Sequence, residues 1–363
     1  MKAALYAGDK DKLVVEDVEL ALGSLGPHDV RIRVGATGVC HSDLSALQGT
    51  FGPLHNPSIM GHEGAGTVLA VGGAVSRTAV GDRVVTAFIP ACGDCFFCVR
   101  GQSNLCELNA KLRAAAIGRA TTSSGQPARA FCNLGTFAEE TIVHEANVVP
   151  VRTELPDEEL ALIGCGVTTG VCAVFNTAKV EPGATVAVIG CGGVGVAVVQ
   201  GARIAGAARI FAVDPVPFKR ESARAVGATD VISPLEHDPV EQLRAATSGR
   251  GVDYVFEVVG RPETVVQAHA AARLGGTVVL IGAGLPGQTV SFDLFALHRE
   301  KRLLGCGYGS AQVRRDIPRL VALAESGRLD LGAMVSRRMS IEDVNEAFRL
   351  MKSGEVIRSV LSC

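Results

Sequence analysis

The run Gly190-Cys191-Gly192-Gly193-Val194-Gly195 constrains the fold of this chain more than any other segment, because of what flanks it. Thr185–Ile189 ahead of it is a β-branched, apolar strand pattern, and an uncharged helical pattern follows, so the glycines fall where a strand turns into a helix. There each glycine has a task. The first permits a tight turn, the second lets backbone approach a pyrophosphate, and the third lets the helix pack on the strand. The helix N-terminus adds N–H groups and the positive end of its dipole. Asp214 ends the next apolar run, 19 residues after Gly195, where a carboxylate accepts both ribose hydroxyls and repels a 2′-phosphate. The expected ligand is therefore NAD in preference to NADP, with Lys219 and Arg220 leaving some tolerance of the extra phosphate. Pro215 weakens the plainer reading of Asp214 as a helix cap.

From about residue 181 the chain alternates strand and helix. Strand patterns recur at 185–189, 210–213, 230–232, 253–256, 277–281 and 302–308, with helical spacing at 218–226 and 239–247. Six strands in this rhythm predict an α/β fold with a doubly wound parallel sheet. The tail holds two amphipathic helix patterns, at 318–326 and 341–352. The first 166 residues read as short strands and turns: 30–34 alternates, 64–71 is rich in glycine and valine, and 81–85 is a turn feeding a strand. A chain of 363 residues suits two domains, and 43 glycines with no tryptophan favour a sheet built from valine and alanine.

A formal charge of −2 gives no electrostatic reason to expect nucleic acid, so a small-molecule substrate is the better expectation. The uncharged stretch 182–202 is interrupted by the glycine run, which argues against a membrane span. The first residues run directly into Asp9, Lys10, Asp11 and Lys12 without an apolar leader, which predicts a reducing, cytoplasmic setting for the eleven cysteines.

Six of those cysteines fall in two metal-type groups. Cys92, Cys95, Cys98 and Cys106 follow C-x2-C-x2-C-x7-C, the ligand set of one tetrahedral zinc closed by thiolates. A redox reading of Cys95 and Cys98 is less compatible with three interlocking cysteines and a fourth nearby. Cys40, His62 and Cys165 hold the parts of an open zinc site, two thiols and an imidazole with a fourth position left for substrate. Cys132, Cys172, Cys191, Cys306 and Cys363 are expected to be small apolar residues.

Gly61-His62-Glu63-Gly64-Ala65-Gly66, with Gly72 and Val75 beyond it and the four-cysteine lobe after that, resembles the zinc signature of the zinc-dependent medium-chain alcohol dehydrogenases, and the likeness covers essentially the whole chain. It implies a GroES-like, mostly-β catalytic domain built from both chain ends, 1–166 and 308–363, carrying both zinc sites. A Rossmann NAD-binding domain, 167–307, is inserted. It also implies roles. Cys40, His62 and Cys165 hold the catalytic zinc; Glu63 stands behind it or acts as a transient fourth ligand; Asp43 orients His62. Ser42 passes the substrate hydroxyl's proton outward, His41 and Arg358 face the cofactor pyrophosphate, Lys219 supports the adenosine ribose, and Phe51, Phe88 and Leu105 line an apolar pocket. Ser45 stands where the best-known members carry a histidine that ends the proton path, so exit through a ribose hydroxyl and water, or through His41, is expected.

The implied activity is reversible, zinc- and NAD-dependent hydride transfer between a primary or secondary alcohol and its carbonyl partner. One alternative within the superfamily is a thiol-adduct formaldehyde dehydrogenase, for which Lys111, Arg113 and Arg129 would supply the cations. A non-catalytic sensor or scaffold binding zinc and nucleotide is a third reading, disfavoured by the intact Cys40, His62, Cys165 and Ser42. An exposed edge at 302–308, and a long segment between Cys106 and Phe137 like that of the dimeric members, predict a homodimer.

Overall fold

The computed structural model of the protein describes residues 1–21, 25–115 and 119–363, and the chain divides into two compact units. The first comprises Met1–Cys165, Gln312–Ser326 and Val335–Cys363; the second comprises Gly166–Ala311 and Gly327–Met334.

In the first unit the strand Asp29–Gly38 is central. Its alternating sequence turns Val30, Ile32 and Val34 inward at 0%, 1% and 2% exposure, each contributing roughly 1.5–3 kcal/mol of burial, while Arg31 and Arg33 face outward. Along one edge lies Gly64–Val71, followed by Arg83–Thr86 and Val148–Pro150. The other edge is shared. Glu140–His144 pairs with residues 29–33, and the C-terminal strand Arg358–Ser362 pairs with residues 36–38 and carries Val335–Ser340 beyond it. The C-terminal strand thus joins the sheet built on Asp29–Gly38. A second sheet runs Val14–Asp17, Lys2–Tyr6, Ser58–Ile59, Pro127–Ala130, Ala120–Thr121, Glu19–Leu20. The short helix His41–Leu47 is anchored by Leu44 and Leu47, which sink into a core with Met60, Phe137 and Phe348.

The helix expected at 318–326 begins earlier, at Val313, and carries Pro318 inside it. Its start is held by the Asp316 carboxylate, which accepts the Gln312 N–H at 2.8 Å. The last helix, Val344–Ser353, matches its pattern and ends at Gly354, whose φ of +76° serves as the left-handed cap.

The second unit is a six-stranded, all-parallel sheet in the order Asp230–Ile232, Arg209–Val213, Thr185–Ile189, Val252–Glu257, Ala272–Leu280, Arg302–Gly305. Numbered along the chain this is 3-2-1-4-5-6, the doubly wound order. Helices Gly193–Ile204, Pro217–Ala225, Pro239–Ala245 and Pro262–Ala271 connect the strands. The last strand stops at Gly305, and Tyr308 lies in a turn with φ +54°. Gly166, residues 308–311 and residues 327–334, expected in the catalytic domain, fall in this unit. The Gln200 amide bonds the Asp330 backbone on both sides, at 2.9 and 2.7 Å, and Arg203 reaches the Arg328 carbonyl at 2.6 Å.

The stretch 182–202 is a strand, a glycine turn and a helix. A different run, Asp157–Ala178, is long and apolar enough to cross a bilayer, with mean hydropathy 1.6, but 83% of its most apolar window is buried in the protein. It is not uniform: Asp157–Leu162 is α-helical, and Ile163–Val167 widens into a π-helical turn.

Candidate metal and cofactor sites

Four potential ligand atoms, from Cys40, His62, Glu63 and Cys165, lie within 4.8 Å of one another. The local sequence explains how they are held. Cys40 is the N-cap of the helix His41–Leu47, and Asp43 in its first turn closes a capping box by accepting the Cys40 N–H at 3.1 Å with Oδ2. The other oxygen of Asp43 takes Nδ1 of His62 at 2.9 Å. One carboxylate therefore fixes the helix start, the imidazole orientation and the tautomer. Cys165 arrives from the π-helical turn Ile163–Val167, a widening often found at functional positions.

The cluster is closed to bulk water: Cys40, His62, Glu63 and Cys165 are 5%, 2%, 0% and 7% exposed. With Nδ1 bound to Asp43, Nε2 of His62 is buried without a hydrogen-bond partner, a lone pair that a metal ion would satisfy. A hydrogen bond from Cys165 holds the Cys40 thiol well below its ordinary range against the effect of burial, helped by the positive charge of Arg358; the same bond pushes Cys165 well above it. Burial alone would depress the His62 pKa, but the Asp43 carboxylate overrides it and raises it well above the usual value. One thiolate, a second thiol and an oriented imidazole fit the three-ligand set of an open zinc site.

Glu63 is paired with Arg358, which is itself 5% exposed. Arg358 is expected at the cofactor pyrophosphate, and the ion pair to Glu63 is a partner that its place in the sequence does not signal. Phe88 stands edge-on to the His62 ring at 5.8 Å, and Phe131 does the same at 5.7 Å. Phe131 was missed. Its only local mark is the turn after it, where Cys132 and Asn133 adopt φ of +53° and +60°. Phe51 and Leu105, expected in the same pocket, are 55% and 50% exposed. Ser42 and Ser45 are half-buried on the short helix, and His41 is exposed.

The sulfurs of Cys92, Cys95, Cys98 and Cys106 also lie within 4.8 Å of one another. Neighbouring pairs stand at 3.5 Å (Cys92 and Cys106), 3.8 Å (Cys92 and Cys98) and 3.9 Å (Cys95 and Cys106). Four sulfurs at about 2.3 Å from a central zinc form a tetrahedron with edges of about 3.8 Å, so this spacing suits the ion. Against burial, the backbone N–H groups of Cys98 and Glu107 pull Cys95 down to about 6.

In the second unit the glycine loop takes the expected form. Gly190 has φ +95°, and a Cβ on Gly195 would sit 1.9 Å from the Gly190 carbonyl oxygen, so the third glycine is required by close packing. A Cβ on Gly192 would meet nothing within 4 Å, which leaves this N-cap of Gly193–Ile204 open to an approaching phosphate. Val194 follows in the first turn of that helix. Asp214, 5% exposed, is more occupied than expected: Oδ2 accepts the Cys191 N–H at 2.8 Å and Oδ1 the Val216 N–H at 2.8 Å. It ties the glycine loop to the start of the next helix, and a carboxylate's remaining lone pairs stay available for ribose hydroxyls. Arg220 is tied to the Asp214 and Pro215 carbonyls at 2.8 and 3.0 Å, and Lys219 is half-buried beside it.

Residues 26–156 match the family described as the alcohol dehydrogenase GroES-like domain, and residues 193–326 match zinc-binding dehydrogenase. The chain is 39% identical to an S-(hydroxymethyl)glutathione dehydrogenase of Synechocystis sp. over 96% of each chain. Among solved structures, an alcohol dehydrogenase zinc-binding domain protein from Burkholderia ambifaria superposes with a TM-score of 0.94 at 34% identity, covering 99% of this chain and 98% of the other. Benzyl alcohol dehydrogenase from Acinetobacter calcoaceticus superposes at 0.90 with 30% identity and the same coverage. Fold, ligand sets and relatives agree: the chain belongs to the zinc-dependent medium-chain alcohol dehydrogenase family, oxidoreductases with a GroES-like and a Rossmann-like domain whose cofactors are zinc and NAD.

Proposed function

We propose that this oxidoreductase transfers hydride between a primary carbinol and NAD, and that the carbinol is the hydroxymethyl group of a thiol–formaldehyde adduct, which loses hydride and its hydroxyl proton to become the S-formyl thioester. The observation that carries the catalytic part is the buried, partnerless Nε2 of His62 beside the thiols of Cys40 and Cys165. Zinc held by these three residues supplies the Lewis acidity that lowers an alcohol's pKa toward neutrality, and NAD supplies the hydride acceptor.

The chain does the rest. Asp43 keeps a proton on Nδ1 of His62, so Nε2 stays a ligand. Arg358 holds the Glu63 carboxylate beside the three ligands, available as a transient fourth. Ser42, two residues from Cys40, accepts the substrate hydroxyl's proton and passes it outward. The rings of Phe88 and Phe131 on His62 keep water from the reacting end of the substrate.

Two observations support the thiol adduct. The relative at 39% identity is named for it. In addition, burial pushes the Cys132 thiol up while the positive charge of Arg113 opposes it, so Arg113 stands within electrostatic reach of the residue next to Phe131. A thiol bearing carboxylates needs such a cation at its far end. Lys111 and Arg129 are exposed, and Lys111 stands against the four-cysteine lobe. A second reading, oxidation of a benzyl-type alcohol, is favoured by the two phenylalanine edges on His62 and by the likeness to benzyl alcohol dehydrogenase.

NADH absorbance with formaldehyde alone, formaldehyde plus glutathione, and benzyl alcohol tests the choice. The adduct is expected to give the highest kcat/KM, and Arg113→Ala to raise KM for the adduct without changing benzyl alcohol. Turnover of benzyl alcohol with none for the adduct would select the second reading.

We further propose a cytoplasmic homodimer. None of the eleven cysteines is joined in a disulfide, which supports a reducing compartment. The strand Arg302–Gly305 ends the six-stranded sheet, with Leu303 and Leu304 half-buried. Pairing with a second copy about a two-fold axis would cover it. Light scattering giving a monomer mass at micromolar concentration would refute this.

A further inference from the structure

A cavity of about 420 Å³ opens against the four-cysteine lobe, away from the Cys40, His62 and Cys165 set; its walls include Cys92, Cys95, His28, His144, Asp94 and Glu107. Only Leu108 and Ala146 among its lining residues are apolar. Imidazole, carboxylate and sulfur together are the donors that a borderline divalent ion accepts.

His28 is prepared for such an ion. Its Nδ1 lies 2.7 Å from Glu145, a carboxylate only 7% exposed that also accepts the Ser76 N–H at 3.2 Å. With Nδ1–H donated to Glu145, the lone pair of Nε2 is left for a ligand on a side chain 53% exposed. The arrangement repeats the Asp43–His62 pair. His144 stacks on the His28 ring at 5.4 Å and accepts the Ala146 N–H on Nδ1 at 3.0 Å, so it carries its proton on Nε2 and backs His28 without competing as a donor. Of the four cysteines, Cys92 and Cys95 line the cavity and are half-buried, so these two are the ligands it reaches. Arg77, tied to the Cys92 carbonyl at 2.8 Å, and Lys111 offset the charge of the thiolates.

We infer that this cavity is the loading and exchange port of the four-cysteine zinc. An incoming zinc-type divalent ion is held at Nε2 of His28, with Glu107 on the same wall, and passes to Cys92 and Cys95 by stepwise ligand exchange. The ion stays divalent: water leaves its shell as each donor enters, and nothing is oxidised or reduced.

The test is zinc-to-cadmium replacement in the holoenzyme with excess cadmium chloride. Timed aliquots are read by native mass spectrometry for stoichiometry and by cadmium NMR, whose shift separates the all-sulfur site from the mixed one. His28→Phe keeps the ring stack and removes the donor. It should slow replacement at the four-cysteine site about tenfold, and leave zinc content, kcat and replacement at the other site unchanged. An unchanged rate overturns the inference. A faster rate overturns it too, because the metal would then be leaving by local opening of the lobe. Should His28→Phe fail to fold, Glu107→Gln on the exposed wall decides: slower replacement than in the wild type supports the port, and an equal rate sinks it.

Discussion

Asp43 and His62 are joined out of reach of solvent, Oδ1 to Nδ1 at 2.9 Å, with side chains 0% and 2% exposed. Because Oδ2 of the same carboxylate takes the Cys40 N–H, the imidazole and the cysteine at the helix cap share one anchor.

Asp43→Asn cannot serve both partners, since its NH2 must face one of the two N–H groups. Zinc affinity at this set should fall about 10- to 100-fold, and stability by about 1–3 kcal/mol for the N–H left unpaired. Zinc per chain after dialysis against a graded chelator, together with urea unfolding, measures both. A variant that holds its zinc as firmly as the wild type would reduce Asp43 to a helix cap.

The two cysteine groups should respond differently to substitution. Cys98→Ser opens a closed tetrahedral set and should lower Tm and soluble yield, because metal binding there is folding free energy. Cys40→Ser should abolish activity with a much smaller change in Tm. Scanning calorimetry beside a zinc assay distinguishes them, and equal losses of Tm would contradict the division of labour.

Ser42 and Ser45 lie on one short helix, both half-buried. Ser42→Ala should lower kcat by roughly 10²–10⁴, the range for a positioned proton acceptor. Ser45→Ala should change it little, since water can carry the outer end of the path. Comparable losses in the two variants would show the proposed exit to be wrong.

Asp214 holds two backbone N–H groups as well as facing the nucleotide loop. Asp214→Gly should therefore shift the NAD to NADP ratio of kcat/KM by about two decades and also cost about 1–3 kcal/mol of stability from the two freed donors. Steady-state kinetics and urea unfolding read the two effects separately. A wild type that already favours NADP would refute the assignment.

Acid should weaken the second unit through Asp253. Burial opposes its ionisation, but the Thr185 hydroxyl at 2.6 Å, the Thr185 N–H at 2.7 Å and Arg273 at 2.6 Å outweigh burial, so its folded pKa lies below the ordinary aspartate value. A depressed carboxylate contributes stability that is present above the unfolded pKa of about 3.9 and is lost as pH falls through the folded value. Asp253→Asn should cost about 1–3 kcal/mol at pH 7, and its deficit against wild type should shrink between pH 4 and pH 2. A deficit unchanged at low pH, measured by urea unfolding, would rule this out.

The parallel sheet of the second unit was legible in sequence because strands covered on both faces become continuous β-branched runs, and Thr185–Ile189 and Asp230–Ile232 were read to the residue. The donor sets were legible for a similar reason: C-x2-C-x2-C-x7-C and the Cys40, His62 and Asp43 spacing are local, and thiol and imidazole have few other uses at such density. The early helix start at Val313 was hidden by Pro318, since proline reads as a beginning unless a cap such as Asp316 is seen in place.

Residue type and local spacing thus determined which chemistry this chain holds, and tertiary structure decided which groups meet. Glu63 and Arg358 are 295 positions apart, and only the pairing of the C-terminal strand with residues 36–38 brings them together. The π-helical turn that delivers Cys165, the Phe131 ring on His62 and the double duty of Asp214 have the same origin. None has a local signature, because each is stabilised by partners that the chain meets only after it has folded.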